Sequence, residues 1–394
     1  MHETEILCVT HKHPPSVGGM EKQSYELIQG LQRYYITHVI AYRNDSNKVL
    51  WFLKLPFKIM KTLKKNPGIK LIHLNDGSMG VACLWLLKRT TIPIIVTFHG
   101  LDLTLSLSLF QHKILPKLKQ YAGAICVSEY TRSEALKRGF AHDTTYTVRN
   151  GVDLSLGKIP VNTGMVQMVK EKYAVDLTHK RILFTMGRPV KRKGFSWFIK
   201  NVMPLLDKDI VLLMAGPLRN HPNKMQRITQ RITDKISPTL QMILGLNSDA
   251  VQIVKELSNS ENVHHLGRVP FADLVQLLSL ADLFIMPNIE IEGDEEGFGL
   301  VALEANMRGT FVLASGIEGI TESVIHGQNG FHLPSGNATA WADKIHELLS
   351  DKNKLSILSS QAKDFVGKNY SWDRMVEAYR DIFDRYIGNA HVNN

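Results

Sequence analysis

Residues 181–194 read RILFTMGRPVKRKG. After Arg181 the run to Met186 is almost wholly apolar, the pattern of a strand buried on both faces, and Gly187 ends it. A basic loop from Arg188 to Lys193 follows, closed by Gly194. Working outward, short apolar runs alternate with longer amphipathic stretches on both sides. Upstream, strands are predicted at Ile6–Val9, His38–Ala41, Leu71–Leu74, Ile94–Phe98, Ala124–Val127 and Thr145–Val148, with helices such as Glu21–Leu31 and Glu129–Arg138 between them. Downstream come Val211–Ala215, Val263–Leu266, Leu283–Met286 and Phe311–Ala314, with helices Phe271–Leu280, Leu300–Met307 and Ala340–Leu349. This alternation is that of a parallel sheet covered by helices, and Arg181 marks a second beginning. The expected fold class is α/β, with two Rossmann-like doubly wound domains at 1–160 and 161–371 facing a central cleft. Ligands are expected at the carboxyl ends of the strands. The linker is expected near Leu156–Gly164, and the amphipathic Trp372–Ile387 to return to the first domain.

The 394-residue length suits two such domains, and 44% hydrophobic with 21% charged residues is ordinary for a globular protein. Cys8, Cys83 and Cys126 lie in apolar stretches without metal-type spacing, which predicts reduced thiols in a cytoplasmic protein. Acidic Glu3 and Glu5 before the first apolar run give the wrong charge order for a signal peptide, and no run is long enough to span a membrane. The net charge of +10 is unevenly placed. Residues 1–160 hold 21 Lys and Arg against 11 Asp and Glu, whereas the remainder is balanced at 26 of each. The first half is therefore expected to meet something anionic.

Four stretches carry chemistry. Gly18 and Gly19 precede a helix whose free N–H groups and positive dipole end suit a phosphate, although such a pair is often only a turn. Arg188 and Lys193 follow a strand, where a guanidinium and an ammonium could neutralise a diphosphate without a metal; the alternative is a solvated basic loop. In the stretch 296–304, EGFGLVALE, Gly299 opens a helix whose first amides, from Gly299 to Val301, are placed to hold phosphate oxygens. Glu296 lies before that helix and Glu304 about one turn inside it, so the two carboxylates could grip hydroxyls of two sugars. His99 ends the strand Ile94–Phe98, where it could donate to a sugar hydroxyl or to charge developing at a reacting centre.

These motifs occur in one order with Val127-Ser128-Glu129, Asn150-Gly151-Val152-Asp153, Ala215-Gly216-Pro217, Leu266-Gly267-Arg268-Val269-Pro270 and Gly327-Gln328-Asn329-Gly330-Phe331. The set resembles glycosyltransferase family four over nearly the whole chain. The resemblance implies the GT-B fold and a retaining, metal-independent enzyme using no cofactor beyond its nucleotide-sugar donor. It implies that Gly18 and Gly19 lie against the donor diphosphate, with Arg188 and Lys193 supplying charge. It places Gly216, Phe298, Gly299 and Leu300 at the donor, Arg268 and Val269 at its base and Glu304 on its ribose. Glu296 would hold hydroxyls of the transferred sugar, and His99 would contact that sugar near its reacting carbon. The sequence departs from the family pattern at Phe311, where a proline is usual, and in the acidic tract Asn288–Glu295.

The implied function is transfer of a hexose from a UDP- or GDP-sugar to a saccharide or lipid-linked acceptor, in cell-surface polysaccharide or glycolipid synthesis. A metal-dependent transferase would need an Asp-x-Asp pair after a strand; Asp207-Lys208-Asp209 precedes one and is read as surface. The segment 51–70 has Lys54, Lys58, Lys61 and Lys65 at helical spacing beside Phe52, Leu55, Ile59 and Leu63, with Pro56 expected in a first turn or at a break. Such a helix could lie on the anionic inner face of a membrane, or its apolar stripe could pack on its own sheet. Nucleic-acid binding through this patch would need interleaved aromatics on a sheet or a recognition helix, which are absent. A catalytically inactive sugar-nucleotide-binding module is disfavoured by the intact Arg188, Lys193 and Glu296.

Overall fold

The computed structural model describes residues 4–44, 47–218 and 248–389; Glu3 lies outside them. The chain divides into two compact units, Met1–Gly151 with Tyr370–Asn394, and Val152–Asn369. The junction thus falls before residue 160. Residues Leu154–Lys158 belong to the second unit because Arg308 fixes them there: its Nη1 donates to the carbonyls of Leu156 and, at 2.7 Å, Ile159.

The first unit is a six-stranded sheet of β1 (Glu5–Thr10), β2 (Ile36–Ala41), β3 (Ile69–Leu74), β4 (Ile94–Phe98), β5 (Gly123–Cys126) and β6 (Thr145–Thr147). Its order is β2-β1-β3-β4-β5-β6, and every pairing is parallel. Side chains alternate between its faces. Leu7, Val9, Ile72, Leu74, Val96 and Phe98 share one core with Trp51, Leu55 and Ile59. His73 and Thr97 point to the other face, where the helix Trp372–Asn389 returns. There the fully buried Tyr379 hydroxyl lies 3.1 Å from Thr97 Oγ1 and accepts from Gln23 Nε2. Tyr35 donates to Asp384 at 2.6 Å.

The helix α1 (Gly19–Leu31) follows β1, and α2 (Lys48–Lys65) follows β2. Asn47 caps α2, its side chain accepting from the amides of Val49 and Leu50. The helix continues past Pro56, which lies neither in its first turn nor at a break, contrary to expectation. A proline inside a helix costs about 3 kcal/mol, but Trp51 and Leu55 before it and Ile59 after it are buried, and that burial offsets the cost. Leu55 and Ile59, with Phe52 and Leu63, therefore face the protein's own core.

The second unit repeats the scheme with β7 (Arg181–Met186), β8 (Ile210–Ala215), β9 (Val263–His265), β10 (Leu283–Met286), β11 (Phe311–Ser315) and β12 (Gly330–Leu333). The order β12-β11-β10-β7-β8-β9 is parallel throughout. This is the dinucleotide-binding order, with its reversal point between β7 and β10. Alternate residues of β7 feed separate cores: Leu183 packs with Phe198 and Trp341, and Phe184 with Val169 and Ala302. Strand β12 was not foreseen, being short and half-exposed at its centre. Asp207 and Asp209 both pair with Arg181 near the surface.

Cys8, Cys83 and Cys126 are buried free thiols, all pushed to high pKa by burial. Among the described residues no helix is long and apolar enough to cross a membrane.

Candidate functional site

In the second unit the loops after β7 and β10 meet at the reversal point. The Ile289 amide donates to the Arg192 carbonyl at 2.9 Å. Gly194 makes this approach possible: its φ is +66°, and a Cβ there would lie 1.9 Å from the Pro287 carbonyl oxygen. The turn aims two consecutive cations at the second loop. Lys193 Nζ lies 2.6 Å from Glu296 Oε2, Arg192 Nε lies 3.3 Å from the same oxygen, and Arg192 Nη1 donates to Asp294 at 2.6 Å. Burial alone pushes the Glu296 carboxyl up, but Lys193 and Arg192 outweigh it and hold the pKa down at about 2. Glu296 is thus an anion braced by two cations.

The backbone of Glu296 is gripped as well. Its amide donates to Glu318, and its carbonyl accepts from the Gly319 amide at 3.1 Å. Burial, with Glu295 and Glu296 nearby, pushes the Glu318 carboxyl up to about 7. Gly299 (φ +90°) caps the helix Leu300–Met307; the Ala302 amide donates to the Gly299 carbonyl at 3.1 Å, and the amides of Leu300 and Val301 before it precede the helix's own hydrogen-bond ladder. Phe298 beneath it is buried and Glu304 is half-buried.

Arg188 and Arg268 are exposed and form no ion pair with another described residue. Val269 packs on the core. Gly216 lines a small hollow with Gly187, Phe195, Leu218 and His265, and its carbonyl accepts from His265 Nε2 at 3.0 Å. The structure thus brings Lys193 to Glu296, while Arg188 is exposed.

In the first unit Gly18 and Gly19 open α1, both exposed, with the Glu21 carboxylate 3.4 Å from Lys12 Nζ. The loops after β1, β3 and β4 are stitched together. His11 Nδ1 lies 3.1 Å from Asp76 Oδ2. His99 Nε2 donates to the Asn75 carbonyl at 2.9 Å, and Asp102 accepts from the amides of Gly77 and His99, each at 2.8 Å. With Nε2 engaged by a backbone carbonyl, Nδ1 is the ring nitrogen left to meet a ligand. Burial pushes Asp76 up, but His11, Ser78 and the Met79 amide outweigh it and bring it to about 2.

Sequence reasoning missed Arg192, Asp294, Glu318, His11 and Asp76. Arg192 and Asp294 did carry a signal, lying in the basic run and in the acidic tract. Among the described residues no group of three His, Cys, Asp or Glu side chains could hold a metal ion.

Comparison with known proteins covers both units. The model described as Glycosyltransferase Family 4 matches residues 16–156, and Glycosyl transferases group 1 matches 170–365. The N-acetyl-alpha-D-glucosaminyl L-malate synthase of Bacillus anthracis is 24% identical over 94% of each chain. The D-inositol 3-phosphate glycosyltransferase of Corynebacterium urealyticum is 34% identical, over 33% of this chain and 30% of that protein. Anabaena HepE, solved with UDP and glucose, superposes with a TM-score of 0.72 at 17% identity, covering 97% of this chain and all of that one. A glycosyltransferase from Rickettsia africae gives 0.73 at 19% identity, covering 98% and 99%. With a family model on each unit and the architecture of solved transferases across both, this chain belongs to glycosyltransferase family four and has the GT-B fold.

Proposed function

We propose that the chain is a retaining hexosyltransferase that takes its sugar from a nucleotide diphosphate donor, UDP- or GDP-linked, and needs no metal ion. The observation that carries this reading is the Arg192–Lys193–Glu296 cluster at the reversal point of a dinucleotide-type sheet, beside a glycine-capped helix. Glu296, held ionised, accepts hydrogen bonds from hydroxyls of the transferred sugar. Lys193, Arg188 and the first amides of the Leu300–Met307 helix meet the negative charge that builds on the leaving diphosphate. Glu304 takes the ribose. As the bond from the anomeric carbon to the β-phosphate oxygen breaks, the acceptor oxygen bonds that carbon on the same face, and its proton passes to the departing phosphate. His99 accepts from a hydroxyl through Nδ1.

The acceptor is a saccharide or a lipid-linked saccharide, assembled at the cytoplasmic face for a cell-surface polysaccharide or glycolipid. HepE's complex with UDP and glucose favours a UDP donor. A thermal-shift series with UDP, GDP and ADP and their sugars, in EDTA, tests the donor. One nucleotide should raise the melting temperature, and Glu304→Ala should abolish the shift. Proton NMR of the product should show the donor's own anomeric configuration. No shift with any nucleotide at millimolar concentration, or an inverted product, overturns the reading.

A further inference from the structure

Helix α2 keeps one face out of the core, and that face is both apolar and cationic. Val49, Leu53 and Phe57 recur every four residues and so form one stripe, with Leu50 beside it. They are 69%, 66%, 78% and, for Leu50, 45% exposed. This stripe is distinct from the one that packs on the sheet, so α2 is apolar on two sides. Lys54, Lys58, Lys61 and Lys65 form the adjoining stripe, and Lys64 lies within the apolar one; all five are exposed. None of the five pairs with a carboxylate of another described residue; Lys58 Nζ instead lies 5.9 Å from the Trp51 ring centre. From Asn47 to Asn75 the sequence holds seven lysines and no acid.

We propose that this face of α2 docks the protein on an anionic lipid bilayer, the four apolar side chains entering the acyl boundary and the lysines meeting lipid phosphates. Charge complementarity selects this occupant. A second copy would bring lysine against lysine, and a nucleic acid offers phosphates but no apolar layer for Leu53 and Phe57. A bilayer with acidic headgroups offers both, at the depth a surface helix reaches. The assignment rests on the exposed face alone and is independent of the transferase reading.

The test is flotation of the full chain with vesicles of phosphatidylcholine, with and without phosphatidylglycerol. The protein should float with the acidic vesicles and stay behind with the neutral ones. Lys54→Gln with Lys58→Gln and Lys61→Gln should lower the partition roughly a hundredfold. Leu53→Ser with Phe57→Ser should lower it at least tenfold at unchanged salt, and both variants should keep the parent's circular dichroism and melting temperature. The proposal is overturned if the parent fails to float. It is equally overturned if the Leu53/Phe57 variant floats as well as the parent, or if duplex DNA strips the protein from vesicles through the same lysines. A solution dimer dissolved by Phe57→Ser would also sink it. The assay contains neither donor nor acceptor, so its failure leaves the transferase reading standing.

Discussion

At the scale of single residues, adjacent cations do different work. Arg192 is buried and spans Asp294 and Glu296, whereas Lys193 meets Glu296 alone. Arg192→Ala takes the buried guanidinium away from Asp294 and one of two cations away from Glu296, and should cost about 3–5 kcal/mol in urea unfolding. Lys193→Ala should unfold more nearly like the parent, yet lose on the order of a hundred- to a thousandfold in kcat, read by nucleotide release. Equal losses of stability in the two variants would contradict this division. Glu318 offers a pH handle. Its folded pKa of about 7 exceeds the ordinary value of 4.5, so its contribution to stability is full below about 4.5 and is lost as pH rises through 7. Glu318→Gln keeps an oxygen for the Glu296 amide and removes the charge. The melting temperature of the variant relative to the parent should therefore climb between pH 5 and pH 8. A difference that stays flat with pH would show that Glu318 does not titrate there. Lys193 and Glu296, which the structure brings together, could be singled out in the sequence because each sits at a fixed offset from a strand end or a glycine turn. Glu318 was not, since it reaches Glu296 across 22 positions and no local pattern records that.

Among the elements, the strands were easy to read because burial on both faces leaves nearly continuous apolar runs, as in Ile94–Phe98, broken only by Thr97, and Leu283–Met286. Helix α2 was harder. Its sequence is apolar on two sides and carries a proline, so periodicity could not say which stripe faces the sheet; packing against Val9 and Ile72 decided it. The turn after β7 is the most constrained element of the second unit. Gly194→Ala combines an unfavourable φ with a clash against the Pro287 carbonyl, and should cost at least about 2 kcal/mol. It should also weaken donor binding, because the same turn places Lys193. Calorimetric melting beside nucleotide titration would check both effects, and an unchanged melting temperature would show that the loops can separate without penalty.

For the whole molecule, the first unit is built from two distant parts of the chain. Trp372–Asn389 supplies Tyr379 and Phe383, both fully buried, and Val376 packs so closely on α1 that a Cβ on Gly30 would lie 2.3 Å from it. Tyr379→Ala should therefore destabilise the first unit by about 3–5 kcal/mol, although the residue lies beyond the whole second unit in sequence. Hydrogen exchange should show the amides of β3 and β4 losing protection while those of β10 and β11 keep theirs. Uniform loss in both units would contradict the division at Gly151. The same arrangement fixes an order of events on the ribosome. Residues 152–369 can gather their core as soon as they emerge, but the sheet that was synthesised before them must wait, with part of one face covered by α1 alone, until the helix Trp372–Asn389 arrives. The first unit is begun before the second and completed after it, and its nascent chain offers holding chaperones an apolar surface for as long as the second unit takes to translate.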